Sequence, residues 1–300
     1  MVQIASVSLH DPLDSLAEGL GRSFQETGFA VVRDHGIDPA VIAAADAALR
    51  AFFALPDAVK RAYHTPGKGG ARGYTPFRLE QAKGAGASDL KEFWHVGREL
   101  TPGDPLEAYM PRNLWPTEVA NFRTASLALF DGFEQCGLVL LEAIALALGL
   151  DRQFFAPTVA NGNSVLRYLH YPPVDAEADG AIRAAAHEDI NVITLLLGAE
   201  EAGLQLRTRG GEWLAVEPPP GALVVNIGDM LQRLTAGRLR STTHRVVNPV
   251  GEGARRSRYS LPFFLHFRPD YLIEPLNGEG EAPITADDYL QQRLRDIGLK

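Results

Sequence analysis

Four residues in the C-terminal half carry the clearest chemistry. His187 and Asp189 lie in Ala186-His187-Glu188-Asp189-Ile190, His244 follows in Thr243-His244-Arg245, and Arg258 opens Arg258-Tyr259-Ser260. Two imidazoles and one carboxylate form the ligand set of a mononuclear non-haem iron(II) site with open coordination positions. In an extended segment residues i and i+2 project to the same side, so His187 and Asp189 can reach one metal while Glu188 points away. His244 is far enough along the chain to come from another strand, and Arg258 fits the strand after that, with Ser260 on the same face. A metal beside a fixed cation able to hold the far end of a dicarboxylic acid suits oxygen activation coupled to a 2-oxo acid. The ligand types alone leave zinc and copper open; the arginine favours iron(II) with 2-oxoglutarate and O2.

With these residues the chain resembles the isopenicillin N synthase-like iron(II) dioxygenases, most of which use 2-oxoglutarate. The resemblance covers nearly the whole chain: Gly28-Phe29-Ala30-Val31-Val32 with Asp34-His35-Gly36-Ile37, then Leu166 to Pro173, Gly203-Leu204-Gln205-Leu206, Asn226-Ile227-Gly228-Asp229, and Ser241 to Val246. It implies that His187, Asp189 and His244 ligate iron and that Arg258 and Ser260 hold the distal carboxylate of 2-oxoglutarate. Tyr171 is the one residue of Leu169-His170-Tyr171 that carries over as a further carboxylate partner, since plant members often have Asn-x-Tyr there. A frequent Thr-Asn-Gly stands here as Thr235-Ala236-Gly237, a change of turn without consequence for iron. The family places substrate contacts before the barrel, which implies a pocket drawn from Arg72, Tyr74, Lys91, Phe93 and Trp94.

The elements that must position these residues divide into a helix-rich first half and a strand-rich second half. Leu13, Leu16, Leu20 and Phe24 have helical spacing over Pro12–Glu26. Asp38-Pro39 pairs an N-cap acceptor with proline at the first helical position, predicting a helix to about Phe53, and Pro56 begins a short third one. Thr65 to Ser88 reads as a glycine-rich loop. A long helix is expected from Trp115-Pro116 to Leu148, ended by Gly149. From Asn163 onward short β-rich runs follow: Val165–Tyr171, Val192–Leu197, Leu204–Arg207, Trp213–Val216, Ala222–Ile227, Arg245–Val247 and Tyr259–Phe267. Their spacing suggests a jelly roll. A last helix is expected from Thr285 to about Ile297. The expected fold is therefore mixed α/β (α+β): a double-stranded β-helix core over 163–270, an N-terminal region over 1–115, a long helix with its connection over 116–162 packed outside the barrel, and a C-terminal extension over 271–300.

The other histidines are weaker candidates. His10 and His64 sit at helix or loop boundaries, His35 in a turn, and His170 on the strand face opposite Tyr171. His95 and His266 could face the pocket. Gly67-Lys68-Gly69-Gly70-Ala71-Arg72-Gly73 lacks the Gly-Lys-Ser/Thr ending of a phosphate cradle, so a loop bordering the substrate is the better reading. There is no Gly-x-Ser-x-Gly elbow, and Cys136 has no basic neighbour to activate it.

Bulk properties set limits. At 300 residues, with 46% hydrophobic and 22% charged residues, the chain suits one large globular unit or two intimate ones. A formal net charge of −8 argues against non-specific nucleic-acid binding. The single cysteine fits a reducing compartment. The longest apolar run, Leu138–Leu150, carries Glu142 and is too short to span a bilayer, and the N-terminus lacks a signal-peptide pattern. The expectation is a cytoplasmic iron(II)/2-oxoglutarate oxygenase acting on a small molecule, with no nucleic-acid or membrane partner and with the oligomeric state open. Two rivals remain at this point: an isopenicillin N synthase-type oxidase whose Arg-x-Ser holds a substrate carboxylate without 2-oxoglutarate, and a non-enzymatic metal-binding jelly-roll protein.

Overall fold

The computed structural model describes residues 3–66, 70–80, 88–173, 181–197, 203–249 and 251–296. Two sheets face each other. The strands β5 (Val165–Tyr171), β6 (Ala184–His187), β7 (Ile193–Leu197), β8 (Leu204–Arg207), β9 (Trp213–Ala215), β10 (Leu223–Ile227), β11 (His244–Val246) and β12 (Arg258–Leu265) alternate between them except for the β8–β9 hairpin, which stays in one sheet. One sheet runs β10-β7-β12-β5 and the other β6-β11-β8-β9, which is a double-stranded β-helix. The first of these is widened on both edges by the N-terminal half. The strands β1 (Ala5–Ser8) and β2 (Phe29–Arg33) add beside β10, and β4 (Glu92–Gly97) and β3 (Gly73–Thr75) beside β5, giving eight strands. The N-terminal region thus contributes four strands, and β3 lies inside the stretch expected to be loop. Gly67, Lys68, Gly69, Gly84 and Gly86 of that stretch lie outside the described residues, as does Ile297.

The helices cover the outer face of the large sheet. Helix α1 (Leu13–Glu26) packs against α4 (Phe122–Leu148), as does α2 (Pro39–Phe53). The Asp38 carboxylate accepts the Ala40 N–H at 2.8 Å, so the expected cap and proline start α2. Alternation along each strand decides which side chain meets the helices. On β12, Phe263 stacks on Phe133 of α4 at 5.3 Å and meets Phe130 edge-on at 5.0 Å. On β7, Leu195 joins that helix-side core while Leu196 turns to the second apolar cluster between the sheets, with Phe29, Leu206 and Val224. Helix α4 begins at Phe122 rather than near Trp115. The Tyr63 hydroxyl accepts the Thr117 N–H at 3.0 Å and donates to Glu118 at 2.7 Å, holding those residues against the N-terminal half. The remaining helices are α3 (Asp57–Arg61), α5 (Ala156–Val159), α6 (Asp229–Leu234) and α7 (Ala286–Asp296). Among the described residues no helix is long and apolar enough to cross a membrane.

Candidate metal centre and active site

Strand β6 ends on His187 and β11 begins on His244, and the two are antiparallel partners in register. Opposed residues share a face, so both imidazoles project between the sheets with centroids 4.4 Å apart. Asp189, two residues past the strand end, brings its carboxylate to the same point: Oδ1 lies 3.8 Å from His187 Nε2, and Oδ2 lies 3.8 Å from His244 Nε2. One ligand atom from each residue falls within 4.8 Å of the others. Glu188 is exposed and accepts the Thr243 hydroxyl at 2.8 Å, pointing away as alternation requires.

Each donor is oriented from behind. A carbonyl can only accept, so His187 Nδ1 donates to Ala185 O at 2.7 Å, and His244 Nδ1 donates to Thr242 O at 3.0 Å. Both Nε2 atoms therefore keep their lone pairs for a metal. Asp189 Oδ2 accepts the Thr194 hydroxyl at 2.6 Å and the Asn226 amide at 2.8 Å. Asn191 in turn donates to Thr194 Oγ1 at 2.8 Å, which commits the threonine proton to the carboxylate. Gly228 makes room for this chain: a Cβ there would stand 2.0 Å from Asn191 Oδ1. Burial alone would raise the Asp189 carboxyl, but His244, His187 and the bonds from Asn226 and Thr194 hold it below its usual range. Burial, and then the adjacent His244, push His187 down to about 4. Two neutral imidazoles and one carboxylate fit a divalent metal. The access side is that of His187, whose side chain is 38% exposed against 9% for His244 and 7% for Asp189.

The expected anchor lies on the same interior face. Arg258, the first residue of β12, pairs in register with Tyr171, the last of β5. Its guanidinium carbon lies 5.3 Å from the centre of the Tyr171 ring, and both residues are buried, as is Ser260. Tyr171 thus meets the cation through its ring. Arg183 went unread in the sequence: it is fully buried with its guanidinium carbon 5.9 Å from the same ring. Its one sequence signal is an arginine set in a run of alanines before His187.

Strand parity sorts the residues expected to line the pocket. Phe93 is on the interior face, clustered with Leu169 and Tyr171, and the Arg167 guanidinium sits 4.4 Å over its ring. His95 shares that face and accepts the Arg167 Nε–H at 2.5 Å. Lys91 is buried between Glu80 at 2.7 Å and Asp89 at 2.8 Å. Asp89 also accepts the Ala185 N–H, tying the ion cluster to the strand that carries His187. Arg72 is buried against Gly97 and donates to Asn163 Oδ1 at 3.2 Å. Tyr74 and Trp94 alternate to the other side and are corrected here: they belong to the helix-facing core. Trp94 packs on Phe52 at 4.7 Å and Phe122 at 5.2 Å, and the Tyr74 hydroxyl donates to Glu92. His170 lies on that outer side too, 2.7 Å from Glu92. His266, just past β12, bonds through Nδ1 to Phe264 O at 3.0 Å, and the Asp189 carboxylate acts on it across the interior.

Comparison with known proteins decides the family. Residues 160–267 match the 2OG-Fe(II) oxygenase superfamily, and residues 2–118 match the family described as non-haem dioxygenase in morphine synthesis N-terminal. A 2-oxoglutarate-dependent dioxygenase of Monascus ruber is 33% identical, covering 89% of this chain and 84% of that protein. The chain belongs to the 2OG-Fe(II) oxygenase superfamily. A superfamily member from Caulobacter crescentus, solved by crystallography, is 51% identical with a TM-score of 0.91, covering 99% of this chain and 100% of that one. A full-length Neurospora crassa protein, solved in complex with alpha-KG and thymine, is 28% identical with a TM-score of 0.86, covering 97% of this chain and 96% of that one. The chain is an oxidoreductase of the iron(II)/2-oxoglutarate-dependent dioxygenase type, using Fe(II), 2-oxoglutarate and O2. That supports neither an oxidase that dispenses with the oxo acid nor a non-enzymatic metal protein.

Proposed function

We propose that this oxygenase hydroxylates a small molecule at a centre ligated by His187, Asp189 and His244, with Arg258 and Ser260 holding the distal carboxylate of 2-oxoglutarate. The observation that carries the assignment is the convergence of two Nε2 lone pairs and a carboxylate on the interior face that also bears Arg258. Iron in such a set lets O2 convert 2-oxoglutarate to succinate and CO2 while one oxygen atom enters the substrate. The protein's own part is orientation. Backbone carbonyls lock the imidazole tautomers, Thr194 and Asn226 fix the carboxylate, and Arg258 supplies a charge-assisted pair to the cosubstrate. Tyr171 braces that guanidinium by its ring, with Ser260 two residues along the strand. Phe93, backed by Leu169 and the Arg167 guanidinium, forms an apolar wall; Lys91 is part of the wall's ionic support rather than a free contact.

The same reading divides the chain at 1–115, 116–162, 163–270 and 271–300, as N-terminal region, long helix with its connection, catalytic core and C-terminal extension. A reducing cytoplasm suits the single buried cysteine, and the net charge of −8 suits a small-molecule rather than a nucleic-acid substrate. The test is spectroscopic. Anaerobic protein given Fe(II) and 2-oxoglutarate should develop the visible charge-transfer band of a chelated keto acid. His187→Ala, Asp189→Ala and His244→Ala should each abolish it. A variant that keeps both the band and full activity removes its residue from the ligand set.

A further inference from the structure

Beside the metal-facing strands lies a buried ionic cluster whose charges do not balance among the described residues. Lys91 is paired with Glu80 and Asp89, and Arg167 lies 3.6 Å from Glu80, so two cations meet two carboxylates. His95 adds no charge: its Nε2 accepts from Arg167, so its one proton sits on Nδ1, bonded to Gly70 O at 2.6 Å. Among the described residues, Arg72 is the cation left over. It is 6% exposed, and its hydrogen bonds go to neutral acceptors, Ala71 O at 2.6 Å and Asn163 Oδ1 at 3.2 Å. Its Nε is buried with no hydrogen-bond partner among the described residues.

The position of this guanidinium is built rather than incidental. It lies on Gly97, which continues the interior alternation Phe93, His95, Gly97; a Cβ at 97 would stand 2.0 Å from Nη2. It acts electrostatically on His95 and on His266, the latter also within reach of the Asp189 carboxylate. Arg258 and His266 mark opposite ends of the same strand segment, so Arg72 stands at the end away from the cosubstrate anchor. A buried guanidinium whose partners among the described residues are neutral carries a desolvation cost that an anion would offset. At the other end, Arg258 would be matched by the distal carboxylate of 2-oxoglutarate.

We propose that Arg72 is the specificity-determining anchor of the primary substrate, and that this substrate carries a carboxylate which pairs side-on with the Nε–Nη2 edge. This rests on the oxygenase reading above and adds the chemical class of what it oxidises. A planar fork of N–H donors matches a carboxylate and rejects the isosteric primary amide, whose NH2 group would face another donor.

The test uses matched acids and primary amides: phenylacetate and phenylacetamide, cyclohexanecarboxylate and its carboxamide, N-acetylproline and its amide. Each is titrated calorimetrically into full-length protein loaded anaerobically with Fe(II) and 2-oxoglutarate. An acid should bind roughly 10- to 100-fold more tightly than its amide, the worth of hydrogen bonds to a charged group. Arg72→Gln should abolish that preference, and Arg72→Lys should keep part of it. Should Arg72→Gln fail to fold, Asn163→Ala removes the acceptor that aims Nη2 without removing the charge, and should weaken the acid several-fold with the amide unchanged. Amides binding as tightly as acids, no acid binding, an acid preference that survives Arg72→Gln undiminished, or, where that variant does not fold, acid affinity unchanged in Asn163→Ala overturns the proposal. 2-Oxoglutarate affinity and substrate-free succinate release are measured on the same samples. Their loss in wild-type protein would sink the oxygenase reading itself; their retention with no acid preference sinks only the anchor.

Discussion

The Asp189 support offers the sharpest check on how this centre is built, through Thr194→Val and Asn226→Ala. Asp189 Oδ2 accepts two short bonds, 2.6 Å from Thr194 and 2.8 Å from Asn226, and all three residues are buried. A bond to a buried charge contributes about 1.5–3 kcal/mol. Valine keeps the shape of threonine while removing the hydroxyl, and it also strips Asn191 Nδ2 of one acceptor. Each substitution should therefore cost roughly 10- to 100-fold in Fe(II) affinity, the usual penalty for losing an outer-shell partner. The double variant should fall short of the product, because Thr194 and Asn226 hold the same oxygen.

A second readout follows from the proton. With its carboxyl held low, folded Asp189 takes up its proton at a lower pH than the unfolded carboxyl, so its contribution to stability is present above the unfolded range and lost as pH falls through the folded value. Removing the two donors takes away part of what opposes burial and so raises the carboxyl, and protons should compete with metal at higher pH in the variants than in wild type. Competitive titration of anaerobic protein against a metal-chelating dye, from pH 5 to 8, measures both effects. Affinities within twofold of wild type, with an unchanged pH dependence, would refute the view that these two donors orient the ligand.

Three further outcomes follow from the structure. Arg258→Ala should weaken 2-oxoglutarate by roughly ten- to a hundredfold with metal affinity nearly unchanged, and Ser260→Ala should act the same way but less, as calorimetry would show. Ala236 has φ 49 and precedes Gly237 at φ 78, so Ala236→Gly or Ala236→Asn should stabilise by about 0.5–1 kcal/mol and raise Tm by roughly 1–4 °C; an unchanged or lower Tm would mean that the turn carries no strain. His95 and His266, both buried, have imidazoles pushed down, by burial first. The unfolded chain takes up those protons near pH 6.5 and the folded one only lower, so their contribution is present above pH 6.5 and lost as pH falls. Denaturant titrations of metal-free protein should lose up to about 1.4 kcal/mol per pH unit for each of the two below about pH 6, and His95→Gln should shallow that slope.

What the sequence determined by itself is local in origin. The types of the metal ligands, the i, i+2 relation of His187 to Asp189, the Asp38-Pro39 start of α2, the glycine after α4 and seven of the core strands depend on neighbouring residues, and neighbours are what a chain displays. The jelly roll was legible because short alternating runs at that spacing have few ways to close. The structure alone decided the pairing of His187 with His244, the aim of Thr194 and Asn226 at Asp189 Oδ2, and the folding of β3 out of a glycine-rich stretch onto the edge of β4. Pocket lining was the least legible. Phe93 and Trp94 are equally suited to a binding wall or a core, and which of them faces the metal is set by the register of β4 against β5. A shift of one residue would exchange the two faces, and register comes from contacts between segments remote in the chain. Arg72 shows the same division: its charge is visible in the sequence, but only the fold lays it on Gly97 with neutral partners among the described residues, while Lys91 and Arg167 find carboxylates.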